Sequence, residues 1–167
     1  MAKKKSIAQS FISFPPFGSK NPEILILGMA PGVESLSCGK YYAETNNCFW
    51  EMIENTYNSG KSFPTEACKE KCLDKNKIVL WDLYKSGTRI GSLSKTIKNG
   101  TLNDIEGFIK KNTSIKLIIC NGKDVADILW REFIPVPILI APNTSSTPQR
   151  IVKNKTEKIK IWKKFLK

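Results

Sequence analysis

The sequence contains no histidine. This absence excludes serine and cysteine hydrolases that depend on a histidine base, HExxH metalloproteases and Cys2His2 zinc fingers. An enzyme built on this chain must therefore work with asparagine, carboxylates, lysine, tyrosine, hydroxyls, thiols or backbone amides. Arginine is scarce as well, because only positions 89, 131 and 150 carry it.

Long hydrophobic runs are also missing. No stretch reaches 18 apolar residues, so we expect no transmembrane helix. The five cysteines are irregularly spaced, which favours free thiols in a reducing, cytoplasmic setting. Cys68 and Cys72 would share a helix face, but a metal site without histidine would need most of the other cysteines to converge. We expect no metal and no other cofactor.

Size and charge limit the remaining possibilities. A chain of 167 residues favours a single domain, with residues 150–167 as a basic C-terminal helix. The formal net charge is +12, which favours a polyanionic partner such as a nucleic acid. Lysine that merely occupies solvent-exposed positions would give the same net charge, so charge alone does not identify a function.

Hydrophobic periodicity predicts an α/β fold. Apolar runs predict buried strands at Glu23–Met29, Ile78–Leu83, Ile115–Cys120 and Val136–Ile140. Helices are expected over Phe49–Tyr57, over Glu66–Leu73 and over Glu157–Leu166. The first of these would have Asn46 or Asn47 as its N-cap. A further helix would be capped by Asn103 or Asp104 and run to Lys111, and another would present an apolar face made of Val125, Ile128, Leu129 and Phe133. Segments 30–46 and 86–99 are expected to be loops. The alternation predicts a three-layer α/β/α sandwich with a central, mostly parallel sheet of about four strands.

The carboxyl ends of such strands are where ligands bind, so the loops after them carry the candidate site. In the first loop, Tyr42 and Phe49 offer flat faces for stacking on a base, and Asn46 and Asn47 offer amides that can read a base edge or hold a water. The same residues could simply form the core and cap a helix. The fourth loop, Ala141 to Arg150, is rich in hydroxyls and amides that can donate to a phosphodiester, although an ordinary polar loop has the same composition.

An ordered set of motifs spans residues 14 to 148. It comprises Phe14-Pro15-Pro16, LILGMAPGVES, YYAETNNCFW, LWD at Leu80–Asp82, Gly91-Ser92, Asn103-Asp104-Ile105, Asn121-Gly122-Lys123 and PNTSS. Taken together these motifs resemble the uracil-DNA glycosylase superfamily, and within it the hypoxanthine (deoxyinosine) DNA glycosylases. The sequence departs from that branch at Glu44-Thr45-Asn46, where the branch has His-Pro-Arg or His-Pro-Gln, and in its terminal loop.

The resemblance implies a monofunctional glycosylase that flips a deaminated base out of DNA and hydrolyses its N-glycosidic bond. Such chemistry suits a protein without histidine, because an oxocarbenium-like transition state needs an aligned water and a stabilised leaving base more than a strong base. DNA containing a deaminated base is then the expected partner of a monomer, with no membrane and no obligate protein partner.

The resemblance also assigns residues to roles. Ala30 stands where several branches have an Asp or Asn, so Asn47 is expected to position the water or to read the base, with the adjacent Asn46 as the alternative register. The remaining expected base-pocket residues are Gly28, Met29, Ala30, Pro31, Gly32, Tyr42, Asn46, Phe49, Asp82 and Leu83. The expected DNA-binding residues are Asn121, Lys123, Pro142, Asn143, Thr144, Ser145 and Ser146.

Three rival functions stay open at this point. One is a glycosylase directed at uracil or at G:U mismatches. Another is a DNA-binding member of the superfamily that has lost catalysis, which the alanine at position 30 would explain. The third is an RNA- or nucleotide-directed hydrolase that shares the scaffold.

Overall fold

The structure is a computed structural model that describes residues 8–130, 134–146 and 154–167. Its strands are β1 Gln9–Ile12, β2 Phe17–Gly18, β3 Ile24–Gly28, β4 Ile78–Asp82, β5 Tyr84–Arg89, β6 Lys98–Leu102, β7 Leu117–Asn121 and β8 Ile138–Ala141. Its helices are α1 Val33–Cys38, α2 Phe49–Tyr57, α3 Glu66–Lys75, α4 Ile105–Lys111, α5 Lys123–Leu129 and α6 Lys155–Phe165. A short 3-10 turn covers Ser94–Thr96.

The central sheet has five strands in the order β2-β4-β3-β7-β8. β4, β3, β7 and β8 run parallel, whereas β2 is antiparallel to β4 at one edge. The four parallel strands are the four that the apolar runs predict. Because they run parallel, their carboxyl ends lie along one edge of the sheet.

Helices cover both faces of this sheet, which makes the three layers. Alternate strand residues point to opposite faces, so Ile26 and Leu80 pack with α2, α3 and α6, while Leu25 and Val79 pack with α4 and α5. Trp162 of α6 is fully buried in the first of these cores. The predicted fold class is therefore confirmed.

A second, three-stranded antiparallel sheet with the order β1-β5-β6 was not predicted. β5 lies mostly within segment 86–99, which was expected to be a loop, and β6 begins at the end of that segment. The expectation is wrong because β5 is mostly polar and half-buried, β6 is mostly polar and exposed, and both lack the continuous apolar run that marks a buried strand. The sheet that carries the candidate site is also wider than expected by the two-residue strand β2.

The first long loop also differs from the expectation, because α1 lies within segment 30–46. It begins after Gly32 and ends at Gly39, which adopts a left-handed conformation with φ of 67°. The N-cap of α2 is Cys48, not Asn46 or Asn47. Asn47 nevertheless satisfies one amide at that helix start, since its Oδ1 accepts from the Phe49 N–H at 3.0 Å.

The remaining boundaries shift by one to three residues, as helix and strand ends usually do. Asp104 caps α4 by accepting from the Gly107 N–H, which decides between the two predicted caps. α5 ends at Leu129, and Phe133, the last residue of its predicted apolar face, lies outside the described residues.

Candidate functional site

The carboxyl edge of the sheet brings the predicted loops together. β3 ends at Gly28 and β4 at Asp82, and the ladder between them continues when the Leu83 N–H donates to the Gly28 carbonyl at 2.9 Å. The segment before α2 is tied to the fourth loop, because the Cys48 N–H donates to the Thr144 carbonyl at 2.9 Å. Four chain segments that are distant in sequence therefore border one site.

Asn47 lies where the first and fourth loops meet. Its Oδ1 is held by the Phe49 N–H, and its backbone N–H donates to the Glu44 carbonyl at 2.9 Å. The side chain is half-buried, and its Nδ2 makes no hydrogen bond to any other described residue. The amide is thus fixed at one end and open at the other, which is what a residue that positions a water requires. The neighbouring Asn46 is exposed.

Tyr42 and Phe49 form a stacked aromatic pair beside Asn47. Their ring centroids lie 4.0 Å apart with an interplanar angle of 20°. Phe49 is fully buried, and the rings of Trp50 and Trp162 meet it edge-on. Tyr42 has a φ of 53°, a left-handed conformation that is strained for a residue with a side chain.

Asp82 and the Tyr42 hydroxyl converge on Gly28. A Cβ placed on Gly28 would lie 2.6 Å from Asp82 Oδ1 and 3.0 Å from the Tyr42 hydroxyl, so only glycine fits between them. Asp82 is 3% exposed, and burial raises the pKa of its carboxyl to about 7. Burial also raises the pKa of Tyr42, and the charge of Asp82 raises it further. The nearby Asn121 amide lowers this pKa, although it forms no hydrogen bond of normal geometry with the hydroxyl.

The side chain of Arg89, which the sequence analysis did not single out, supports this cluster. Arg89 is 3% exposed, and its guanidinium donates to the Pro31 carbonyl and lies over the Phe11 ring at 4.9 Å. Its charge opposes the rise in the pKa of Asp82, although burial has the larger effect. One signal for it was present, since a lysine-rich chain keeps arginine at only three positions.

Glu44 is a second residue whose position the sequence did not predict. Its carboxylate accepts from the Ser35 hydroxyl at 3.0 Å and packs against the backbone of Gly32. It therefore fixes the start of α1 against the segment that carries Asn47. Its negative charge raises the pKa of Asp82 further.

The fourth loop is anchored from behind rather than fully exposed. The Asn121 amide donates to Thr144 Oγ1 and accepts from the Thr144 N–H, both at 2.9 Å, and both side chains are buried. The Pro142 carbonyl accepts from the Trp162 indole at 2.8 Å, and the Ser145 carbonyl accepts from Lys158 at 2.7 Å.

The predicted DNA-binding residues thus differ in accessibility. Asn121 and Thr144 hold the loop, Pro142 is buried, Asn143 and Ser145 are half-buried, and Ser146 is exposed. Lys123 is exposed and forms an ion pair with Asp127 at 2.6 Å. Lys158, a lysine that is only 3% exposed, is a further support that the sequence did not reveal.

Metal-ligating clusters, membrane-spanning helices and cavities also bear on what the protein can bind. No group of three or more metal-ligating side chains occurs in residues 8–130, 134–146 and 154–167. Within those same ranges, no helix has the length and apolar character needed to cross a bilayer. A cavity of about 160 Å³ is lined by the Phe14–Phe17 segment, Tyr41 and Glu66, among others.

Comparisons with known proteins find relatives over most of the chain. The model of the uracil DNA glycosylase superfamily matches residues 15–166. A curated hypoxanthine DNA glycosylase of Methanosarcina acetivorans is 30% identical over 148 residues, which are 85% of this chain and 90% of that protein. A second hypoxanthine DNA glycosylase, from Methanosarcina barkeri, is 34% identical over 110 residues, or 66% and 70% of the two chains.

A solved structure is similar over nearly the whole chain. It is the solution NMR structure of a uracil DNA glycosylase candidate from Methanosarcina acetivorans, with a TM-score of 0.77 and 29% identity. The alignment covers 95% of this chain and 99% of that one.

Proposed function

The chain belongs to the uracil DNA glycosylase superfamily, among relatives named as hypoxanthine DNA glycosylases, and we propose that it removes hypoxanthine from DNA by hydrolysing the N-glycosidic bond of deoxyinosine. The names of the two curated relatives support this substrate. The product would be free hypoxanthine and an abasic site. The net charge of +12 favours binding to the DNA backbone.

Asn47 is the residue that we propose to position the attacking water. The observation that carries this role is its half-fixed amide: Oδ1 is held by the Phe49 N–H, while Nδ2 has no partner among the described residues. A water held at this amide would be directed at C1′ of the flipped nucleotide. The C1′–N9 bond breaks with its electron pair going to the base, and the water adds to the resulting oxocarbenium at C1′ and then loses a proton to the solvent. The departing base takes up a proton from the solvent to give neutral hypoxanthine.

The other loops would hold the nucleotide in place. We propose that the pocket is bordered by Gly28, Met29, Ala30, Pro31, Gly32, Asp82 and Leu83, with Tyr42 and Phe49 as its aromatic surface. The fourth loop, Pro142 to Ser146, would contact phosphates with its hydroxyls and backbone amides. The bonds from Asn121, Trp162 and Lys158 support this role, because a rigid loop loses little entropy on binding.

Excision from a duplex that contains one deoxyinosine tests the proposal. Under single-turnover conditions the wild-type protein should yield alkali-labile strand breaks, and Asn47→Ala should slow the reaction by about 10²-fold or more, because water alignment is lost. Asn55→Ala, an exposed asparagine on α2, is the matched control and should react at the wild-type rate. Full activity of a folded Asn47→Ala variant would remove Asn47 from this role, and Asn46→Ala would then test the other register.

A uracil-directed glycosylase is the second candidate. The similarity to the NMR structure of a uracil DNA glycosylase candidate is the observation that favours it. Hypoxanthine and uracil both present a ring N–H beside a carbonyl, so the pocket chemistry alone suits either base.

A further inference from the structure

The second sheet, β1-β5-β6, is built from two chain segments that contain no carboxylate side chain. Residues 1–22 and 83–103 hold seven lysines and one arginine, whereas all fifteen aspartates and glutamates lie elsewhere in the sequence. Six ion pairs occur in the described part of the chain, and all of them use lysines outside these two segments. The sheet lysines, Lys85, Lys95 and Lys98, are exposed. They present positive charge that attracts a polyanion.

One face of this sheet adds hydroxyl groups to the charge. The strand register pairs Ser10 with Thr88 and Ser86 with Thr101, and directly paired residues point to the same face. Because Ser86 and Thr88 are two residues apart on β5, all four hydroxyls share that face, which we call the hydroxyl face. Thr88 is also paired with Lys98. Hydroxyls and lysine ammonium groups are donors that proteins use to hold phosphodiester oxygens.

The second sheet is attached to the same edge of the central sheet as the candidate site. β5 begins two residues after β4 ends, and the Tyr84 N–H donates to the Met29 carbonyl at 3.0 Å. Beyond the other end of β5, Ser92 Oγ accepts from the Val33 N–H at 2.9 Å. The loop that borders the site is thus held at both ends by this sheet. A duplex that places one nucleotide at the site would therefore have the second sheet beside it.

We propose that the second sheet is a DNA-binding surface, which holds the duplex beside the flipped nucleotide through the sheet lysines and the hydroxyl face. The inference rests on the proposed function in one respect, because it takes the polyanion to be DNA. It goes further by assigning a contact surface separate from the pocket and from the fourth loop. The six residues of β5 span about 20 Å, which is the axial length of about six base pairs.

The carboxylates that border the sheet are engaged with backbone amides. Asp104, two residues after β6, accepts from the Gly107 N–H at 2.8 Å. Glu34, on α1, accepts from the Thr45 N–H at 3.0 Å. Within the described residues, neither carboxylate forms an ion pair with a sheet lysine. The sheet lysines therefore do not have to break an ion pair in order to contact phosphates.

Salt-dependent binding to an undamaged 20-base-pair duplex tests this surface. Each lysine that contacts a phosphate adds about 0.9 to the slope of log Kd against log salt concentration. A variant that combines Lys85→Gln, Lys95→Gln and Lys98→Gln should therefore show a slope lower by about 2–3. It should bind about 10²-fold more weakly than wild type at 0.1 M salt, and the two affinities should converge as the salt concentration approaches 1 M. Fluorescence anisotropy measures both quantities.

A second triple variant is the matched control, because it removes the same amount of charge elsewhere. It combines Lys160→Gln, Lys164→Gln and Lys167→Gln, three exposed lysines on α6 and at its end. This end of α6 lies away from the site, since the Leu166 carbonyl accepts from the hydroxyl of Tyr57, the last residue of α2. α2 begins at the site and is nine residues long, or about 14 Å. We expect the control to keep the wild-type slope.

Two measurements on the wild-type protein need no variant. Acetylation of lysines, read by mass spectrometry, should slow at the sheet lysines when duplex DNA is bound and stay unchanged at the three control lysines. Equal protection of both sets, or of neither, would overturn the inference. The same salt titration with duplex RNA tests the identity of the polyanion. Tighter binding of RNA than of DNA, with protection of the sheet lysines by RNA, would overturn the assignment to DNA.

Each outcome bears on a different claim. Equal salt slopes in wild type and the sheet variant would overturn the surface, and so would equal losses in the two triple variants, which would reflect net charge alone. In single-turnover excision of deoxyinosine, the sheet variant should need more enzyme to reach half its maximal rate but keep that maximal rate; an unchanged enzyme requirement would also overturn the surface. DNA binding that depends on the sheet lysines, without excision of any base, would refute the proposed function and uphold this surface.

Discussion

Asp82→Asn should make the protein more stable at neutral and alkaline pH. In the native state the pKa of the Asp82 carboxyl rises from its ordinary 3.8 to about 7, chiefly through burial. The folded protein therefore binds this proton more tightly than the unfolded chain does. Each pH unit between the two pKa values lowers stability by ~1.4 kcal/mol, so wild type should lose about 4 kcal/mol between pH 4 and pH 7 at this one residue.

The substitution removes this loss, because asparagine does not titrate. Urea unfolding of both proteins from pH 4 to pH 8.5 measures it, and the difference in unfolding free energy isolates Asp82 from all other titrating groups. We expect the difference to increase in favour of Asp82→Asn from pH 4 to about pH 7 and then to level off. A difference that is independent of pH would show that Asp82 ionises in the folded protein as it does in the unfolded chain, and the reasoning about its burial would fail.

Three further predictions concern stability and thiol chemistry. Asn121→Ala leaves the buried N–H and hydroxyl of Thr144 unpaired. It should therefore lower the unfolding free energy measured in urea titrations by about 2–4 kcal/mol, and a loss below about 0.5 kcal/mol would contradict the anchoring role. Trp162→Ala should cost about 3–5 kcal/mol, and an unchanged Tm would show that α6 does not complete the core. Cys38 should react with a thiol reagent in the native protein, whereas buried Cys48 should react only on unfolding; equal native rates would refute this difference.

The sequence predicts the central sheet well because its strands are buried on both faces. β3, β4, β7 and β8 are short, nearly continuous apolar runs, and such runs have few alternative structures. The same reasoning does not predict β5 and β6. Their half-exposed residues are polar and include glycine, and only their pairing with each other and with β1 makes them strands.

The site residues also fall into those that the sequence could locate and those that it could not. Gly28, Asp82 and Asn121 could be located because each one lies within one residue of the end of a predicted parallel strand. Lys158 could not be located, and only the scarcity of arginine pointed to Arg89, because burial of a charged side chain depends on partners from distant segments. Arg89 meets the Pro31 carbonyl and Lys158 meets the Ser145 carbonyl, and neither pairing leaves a pattern in the local sequence.

The central claim is that this protein removes hypoxanthine from DNA. The most direct test is a single-turnover excision assay on four matched duplexes that contain I:T, I:C, U:G and U:A, with abasic product detected as alkali-labile cleavage. The account predicts cleavage of both inosine duplexes, with I:T and I:C reacting faster than U:A. Efficient cleavage of the uracil duplexes with inosine left intact would contradict the claim, and so would DNA binding with no cleavage of any duplex.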